Sequence, residues 1–285
     1  MDTRPSFSFE FFPPRDAAQS RRFWRTFGAL ESLAPTHVSL TWGALGSDER
    51  VSLETLALLA RDTAVPITAH LCCAGRTPET LRETLDAIEA AGVRRVLALR
   101  GDAVPDDASA RGAFRHAAEL VALIASERPH LDVSVAAYPE THPEAPDADT
   151  DLRYLAEKLS LGARRAVTQF FFEPAPFLRW RDRARAIGVD QPLVPGILPV
   201  HDIDAVARFA AKCGATVPRR LSERFARATD ERDRERIAIE ECVTLCGTLA
   251  REGVDAFHLY TLNRSALSRA VVEALGGSGG VRVAA

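Results

Sequence analysis

Two hydrophobic rhythms alternate along this chain. Short apolar runs rich in β-branched and aromatic residues are separated by longer stretches whose apolar positions recur at helical spacing. Eight short runs read as strands: Ser6–Phe12, His37–Trp42, Pro66–Cys72, Arg95–Arg100, Asp132–Tyr138, Arg165–Phe172, Leu193–Ile197 and Ala256–Tyr260. The stretches between them carry helix punctuation. Thr77-Pro78-Glu79-Thr80 supplies a cap and a first-turn proline, with Gly92 as the stop. Ser47-Asp48-Glu49 opens another helix, Asp147–Leu161 stops at Gly162, and Ala175–Ile187 stops at Gly188. Asp202–Arg251 is long enough to contain an extra helix, and a last one covers Ser265–Leu275. Strict alternation gives parallel βαβ units. Eight of them predict an α/β fold, a closed (β/α)8 TIM barrel in a single domain over residues 1–275, with 276–285 as a flexible tail.

Parity within the strands sharpens this reading, because alternate residues share a face. The first strand sets Phe7, Phe9 and Phe11 against Ser6, Ser8 and Glu10, and the second sets Val38 and Leu40 against Ser39 and Thr41. The third offers Thr68 and His70, and the fifth Ser134, Ala136 and Tyr138. The large apolar face suits packing under helices; the small polar face leaves room at a barrel mouth. In the sixth strand Thr168 and Gln169 compete for the inward side.

Composition narrows the function classes. A net charge of −3 without a basic block gives no electrostatic footprint for nucleic acid. No apolar run reaches the roughly 18 residues of a membrane span, and the first residues lack a signal-peptide layout, so a cytoplasmic location is expected. Five cysteines without framework spacing read as reduced thiols; Cys242 and Cys246 share a helical face but lack companions for a zinc site. Only Lys158 and Lys212 are lysine among 36 basic residues, which hints that arginine was not equivalent there.

In this fold chemistry gathers at the C-terminal strand ends. Those ends present Glu10, Thr41, His70, Arg100-Gly101-Asp102, Tyr138 with His142, and Gln169. Glu10, between Phe9 and Phe11, is a candidate general acid, since partial desolvation favours the proton-bearing form. The plainer alternative is a solvated carboxylate or an arginine partner. Asp102 follows a turn-permitting glycine, and its alternative is a loop-closing pair with Arg100. His70 and His142 lack helical metal spacing, so hydrogen bonding to a ligand is the better reading and no metal is expected. No G-x-G-x-x-G occurs, which excludes Rossmann-type dinucleotide binding.

The motifs SFEFFPPR (Ser8–Arg15), VSLTWGALG (Val38–Gly46), LRGD (Leu99–Asp102), VAAYPETHPEA (Val135–Ala145), VTQFFF (Val167–Phe172), PGILPV (Pro195–Val200) and FHLYTLNR (Phe257–Arg264) occur in this order and cover nearly the whole chain. The set resembles the methylenetetrahydrofolate reductase family of the bacterial, barrel-only type. The resemblance implies FAD, NADH or NADPH as co-substrate, and a folate substrate. It also implies ping-pong hydride transfer between methylenetetrahydrofolate and methyltetrahydrofolate. It places Glu10 as the acid that protonates N10 and Asp102 as the carboxylate that contacts the pterin and tunes the flavin. It places Trp42, Ala44, His70, Arg100, Gly101, Tyr138, His142, Ala145, Asp151 and Lys158 at flavin contacts, with Lys158 near the diphosphate. Thr41 and Gln169 resemble nicotinamide or folate contacts, Phe209 a stacking aromatic, and Arg264 a residue near the folate tail.

Some positions depart from the enteric pattern: Trp42 stands for Tyr, Tyr154 and Glu157 for Asn and Arg, and Ala205 for Gln. Competing readings are a flavin-free barrel lyase or aldolase, a non-catalytic folate-binding subunit, and the same enzyme working as a methyltetrahydrofolate oxidase. Small-molecule partners are expected; a homo-oligomer and the choice of nicotinamide stay open.

Overall fold

The computed structural model describes residues 4–42, 49–101 and 114–276. Ala44, Asp102, the helix-opening pair Ser47-Asp48 and the tail from Gly277 lie outside the described residues. Eight parallel strands close into a barrel in sequence order: β1 (Ser6–Phe11), β2 (Val38–Leu40), β3 (Ile67–Cys72), β4 (Arg95–Leu99), β5 (Asp132–Ala137), β6 (Arg165–Phe170), β7 (Leu193–Ile197) and β8 (Ala256–Tyr260). The expected strands overran their C-terminal ends at Phe12, Trp42, Arg100, Tyr138 and Phe171-Phe172. The apolar and aromatic pattern continues there, but the ladder stops where the mouth loops leave the barrel.

The described helices are α1 (Ala17–Glu31), α2 (Glu49–Asp62), α3 (Pro78–Ala90), α4 (Ala117–Glu127), α5 (Ala148–Ser160), α6 (Pro174–Ala186), α7 (Ile203–Cys213), α8 (Arg219–Ala226), α9 (Glu231–Arg251) and α10 (Ala266–Ala274). Thr77 and Thr80 form the reciprocal cap of α3, and Asp147 caps α5 through the Thr150 N–H. The long stretch after β7 contains three helices. Gly214, at φ 72°, ends α7, and Asp230 caps the start of α9.

The outward strand face packs Phe9, Phe11, Leu40, Leu71, Val96, Val135, Ile197 and Leu259 beneath the helices, all buried. A second cluster joins Phe170, Phe172, Val206, Leu221, Phe225 and Ile237 under α7 to α9. The inward face is polar and layered. At the floor Arg95 and Arg165 share Asp132, at 3.1 and 2.9 Å. Above them lie buried Ser8, Ser39, Ser134 and His258. The five cysteines are unpaired, and Cys242 and Cys246 are buried on α9. No helix among the described residues is long and apolar enough to cross a membrane.

Candidate active site

β1 carries Glu10 to the C-terminal mouth, where its side chain is only 12% exposed. Its Oε2 lies 3.5 Å from His70 Nε2 and 3.8 Å from His258 Nε2. No arginine or lysine pairs with it among the described residues, so the arginine-partner alternative does not describe this carboxyl. The end of β1 is held by the exit from β8. Thr261 donates its hydroxyl to the Glu10 carbonyl at 2.6 Å. Leu262 and Asn263 adopt left-handed backbone conformations, φ 50° and 54°. The resulting turn brings the Asn263 amide onto both the N–H and the carbonyl of Phe12, each at 2.9 Å. Left-handed non-glycine residues cost energy and persist where surrounding bonds over-determine them.

Thr41 and Trp42 follow β2 at the same rim. Thr41 Oγ1, Trp42 Nε1 and His70 Nε2 are buried polar atoms without a hydrogen-bond partner among the described residues. Such groups are rare in native interiors and point to a partner outside the chain. Burial holds the His70 imidazole below its ordinary titration range, against the pull of Glu10. Burial also pushes the Tyr260 phenol well up, and its hydroxyl donates to the Thr168 carbonyl at 2.7 Å.

A second group of residues flanks the rim over β4, β5 and α5. Arg100, read from sequence beside Asp102, forms a two-pronged pair with Glu144, whose Oε1 accepts at 2.8 Å. Gly101 has φ +90°, and a side chain there would meet the Cys72 Cβ at 2.9 Å, so the close approach to β3 requires glycine. Tyr138 and His142 meet edge to face at 4.5 Å. Asp151, raised by burial, accepts the His142 N–H at 2.9 Å, and Ala145 donates its N–H to the His142 carbonyl. Lys158, two turns along α5 from Asp151, donates its ammonium to the Ala136 carbonyl at 2.7 Å. Burial pulls Lys158 down to about 8.

Gln169 lines a small cleft with Tyr138, Thr141 and Gly214. The contest in β6 is settled by a register shift between Val167 and Phe170. Thr168 is turned into the sheet, where its hydroxyl accepts the Gly196 N–H at 2.9 Å, and Gln169 remains partly exposed. Phe209 on α7 is 48% exposed and stacks on Phe170 at 5.6 Å. Arg264, after β8, lies near His201, whose imidazole is pulled down to about 4 by burial and then by that guanidinium. Phe209 and Arg264 thus make their contacts on other parts of the rim than the Glu10 cluster.

A (β/α)8 barrel with an acid at its mouth fits many chemistries, and comparison with known proteins decides between them. The methylenetetrahydrofolate reductase family model matches residues 2–276.

The chain belongs to the methylenetetrahydrofolate reductase family.

It is 39% identical over 277 residues to 5,10-methylenetetrahydrofolate reductase of Pectobacterium carotovorum, covering 97% of this chain and 92% of that protein. It is 38% identical over 271 residues to the reductase of Escherichia coli, covering 94% and 90%. A solved barrel from Clostridium thermocellum, described as binding two copies of 5-methyl-5,6,7,8-tetrahydrofolic acid, superposes with a TM-score of 0.66 at 13% identity. It covers 95% of this chain and 94% of its own, and at that identity it speaks for the fold alone.

Within this methylenetetrahydrofolate reductase barrel, sequence reasoning missed three rim residues: His258, Tyr260 and Asn263. The first two were within reach. The parity argument applied to β8 sets His258 and Tyr260 against Phe257 and Leu259, the same small-set inward face that revealed Glu10. Asn263 gave no such signal, because its role depends on a left-handed turn and on Phe12, 251 positions away.

Proposed function

We propose that this protein is an FAD-dependent 5,10-methylenetetrahydrofolate reductase that interconverts methylene- and methyltetrahydrofolate with NADH or NADPH in ping-pong fashion. The observation that carries the reading is Glu10, a nearly buried carboxyl at the barrel mouth without a basic partner among the described residues. Such a carboxyl is suited to hold a proton and give it up rather than to close an ion pair.

The residues fit a flavin dinucleotide. Unpartnered Thr41 Oγ1, Trp42 Nε1 and His70 Nε2 offer polar contacts for a ring system. Arg100, Gly101, Tyr138, His142, Ala145, Asp151 and Lys158 would line the rest, with Lys158 as the charge for the diphosphate; Ala44 joins them by resemblance. When bound, FAD supplies the hydride relay between nicotinamide and folate. Glu10 supplies the proton. As the bond between N10 and the bridging carbon breaks, N10 keeps the electron pair and takes the Glu10 proton, leaving a carboxylate and a cationic one-carbon unit on N5. A second carboxylate, Asp102, would favour that cation. Thr41, Gln169, Phe209 and Arg264 would orient the substrates.

The purified protein should be yellow, and NADH or NADPH should bleach it without oxygen. Glu10→Gln keeps the shape of the side chain but cannot donate a carboxylic proton. Positioned acids contribute roughly 10² to 10⁴-fold, so stopped-flow should show the folate half-reaction slowed by that order. Flavin reduction should stay near the wild-type rate. Near-normal folate reduction by Glu10→Gln would dismiss this acid.

A further inference from the structure

We infer that His258 is the positioning residue that keeps Glu10 in its proton-bearing form, by presenting it with a bare imidazole nitrogen fixed by Ser8 and Ser39. This rests on the reading of Glu10 as the acid. His258 is 2% exposed and lies on the barrel axis beneath the mouth. Its Nδ1 is 2.7 Å from Ser8 Oγ, and its Nε2 is 3.4 Å from Ser39 Oγ and 3.8 Å from Glu10 Oε2. Ser8 Oγ also reaches the Phe257 carbonyl at 3.4 Å.

Three hydrogens must be placed among these atoms, and one arrangement satisfies all of them. The Ser39 hydroxyl donates to Nε2, the Nδ1–H donates to Ser8 Oγ, and the Ser8 hydroxyl donates to the Phe257 carbonyl. In the other tautomer Ser8 donates to Nδ1 and Nε2 carries the hydrogen. The buried Ser39 hydroxyl then has no acceptor among the described residues. Unsatisfied buried donors cost about 1–3 kcal/mol, so the first arrangement wins.

Glu10 therefore faces a lone pair. A carboxylate beside it is disfavoured, and a carboxylic O–H directed at it is favoured. The other titratable groups facing Glu10 do not supply this acceptor. Tyr260 commits its hydroxyl to the Thr168 carbonyl, and His70 lacks a neighbour that fixes its tautomer. Beneath, His37 stacks on His258 at 5.9 Å. Burial and the nearby His258, Arg95 and Arg165 hold His37 well below its ordinary range, so no positive imidazole approaches from the floor.

The test has three parts. First, ¹⁵N spectra of histidine-labelled wild-type protein, assigned with His258→Gln, should show a protonated Nδ1 and a bare Nε2; the reverse pattern overturns the inference. Second, the folate half-reaction is followed against pH in wild type, His258→Leu and His258→Gln. A proton-bearing Glu10 is needed, so the rate falls on the alkaline side. In His258→Leu that fall should begin about one pH unit lower, a tenfold loss at a fixed pH above it. His258→Gln, whose amide oxygen can accept, should recover most of the displacement. A fall that is unmoved or moves to higher pH overturns the inference. Third, the Glu10 carboxyl is titrated by ¹³C NMR in labelled wild type and His258→Gln, using Glu10→Gln for assignment. If Glu10→Gln leaves folate reduction intact, the acid assignment fails, while the tautomer and the carboxyl titration still judge His258 separately.

Discussion

Lys158→Met separates what a lysine does for a ligand from what it does for the fold. The ammonium is bonded to the Ala136 carbonyl at 2.7 Å and is pulled from 10.5 to about 8, by burial acting against the charges of Asp151 and Glu157. A shift of that size corresponds to about 3 kcal/mol against holding the charge in the flavin-free protein, at roughly 1.36 kcal/mol per unit. Methionine keeps most of the apolar stem and removes the charge. The flavin-free variant should resist urea as well as or better than wild type, with about 3 kcal/mol as the ceiling because Asp151 loses its counter-charge. Flavin retention should move the other way. A charged hydrogen bond to phosphate contributes about 1.5–3 kcal/mol, so Kd for FAD, read by fluorescence titration, should rise roughly 10- to 150-fold. Lys212→Ala should leave it unchanged. The pH dependence has a definite sign. Lys158 titrates lower folded than unfolded, so the unfolded chain holds the extra proton between about 8 and 10.5. Wild-type stability should gain a contribution as pH rises through that window, and Lys158→Met should lack it. A variant that keeps FAD as tightly as wild type, or unfolds at clearly lower urea, would refute the argument.

Three further outcomes follow from other parts of the rim. Asp102→Asn should slow the folate half-reaction far more than flavin reduction, because only the former develops a cation; equal slowing in stopped-flow would reduce Asp102 to a structural role. His201 stays neutral in the fold down to about 4, whereas an unfolded histidine takes up its proton near 6.5. Stability should therefore fall as pH drops through that interval, and His201→Gln should flatten the fall in urea midpoints measured at steps across it. Gly196→Ala would set a methyl group on the Thr168 carbonyl and within 2.6 Å of the Tyr260 ring. Overpacking of this kind costs roughly 1–3 kcal/mol, and denaturant titration showing no loss would mean the strand yields freely.

The sequence by itself determined the barrel and the identity of its mouth. Period-two runs between glycine-stopped helices can bury their apolar faces only as parallel strands under helices, so eight repeats close a ring. Parity then brought Glu10, Thr41 and His70 to the inward side, because the alternation of a strand is fixed by covalent geometry. The ordered motifs added the family. What tertiary structure alone decided concerns partners remote in the chain. A register shift against β7 turned Thr168 into the sheet and left Gln169 partly exposed. Arg100 found Glu144 across 44 positions, and no local rule specifies which carboxylate a long guanidinium reaches. The contacts of Glu10 with His258, and of Phe12 with Asn263, exist because β8 closes against β1. That closure joins the two ends of the chain, and a linear pattern holds no record of the distances it creates.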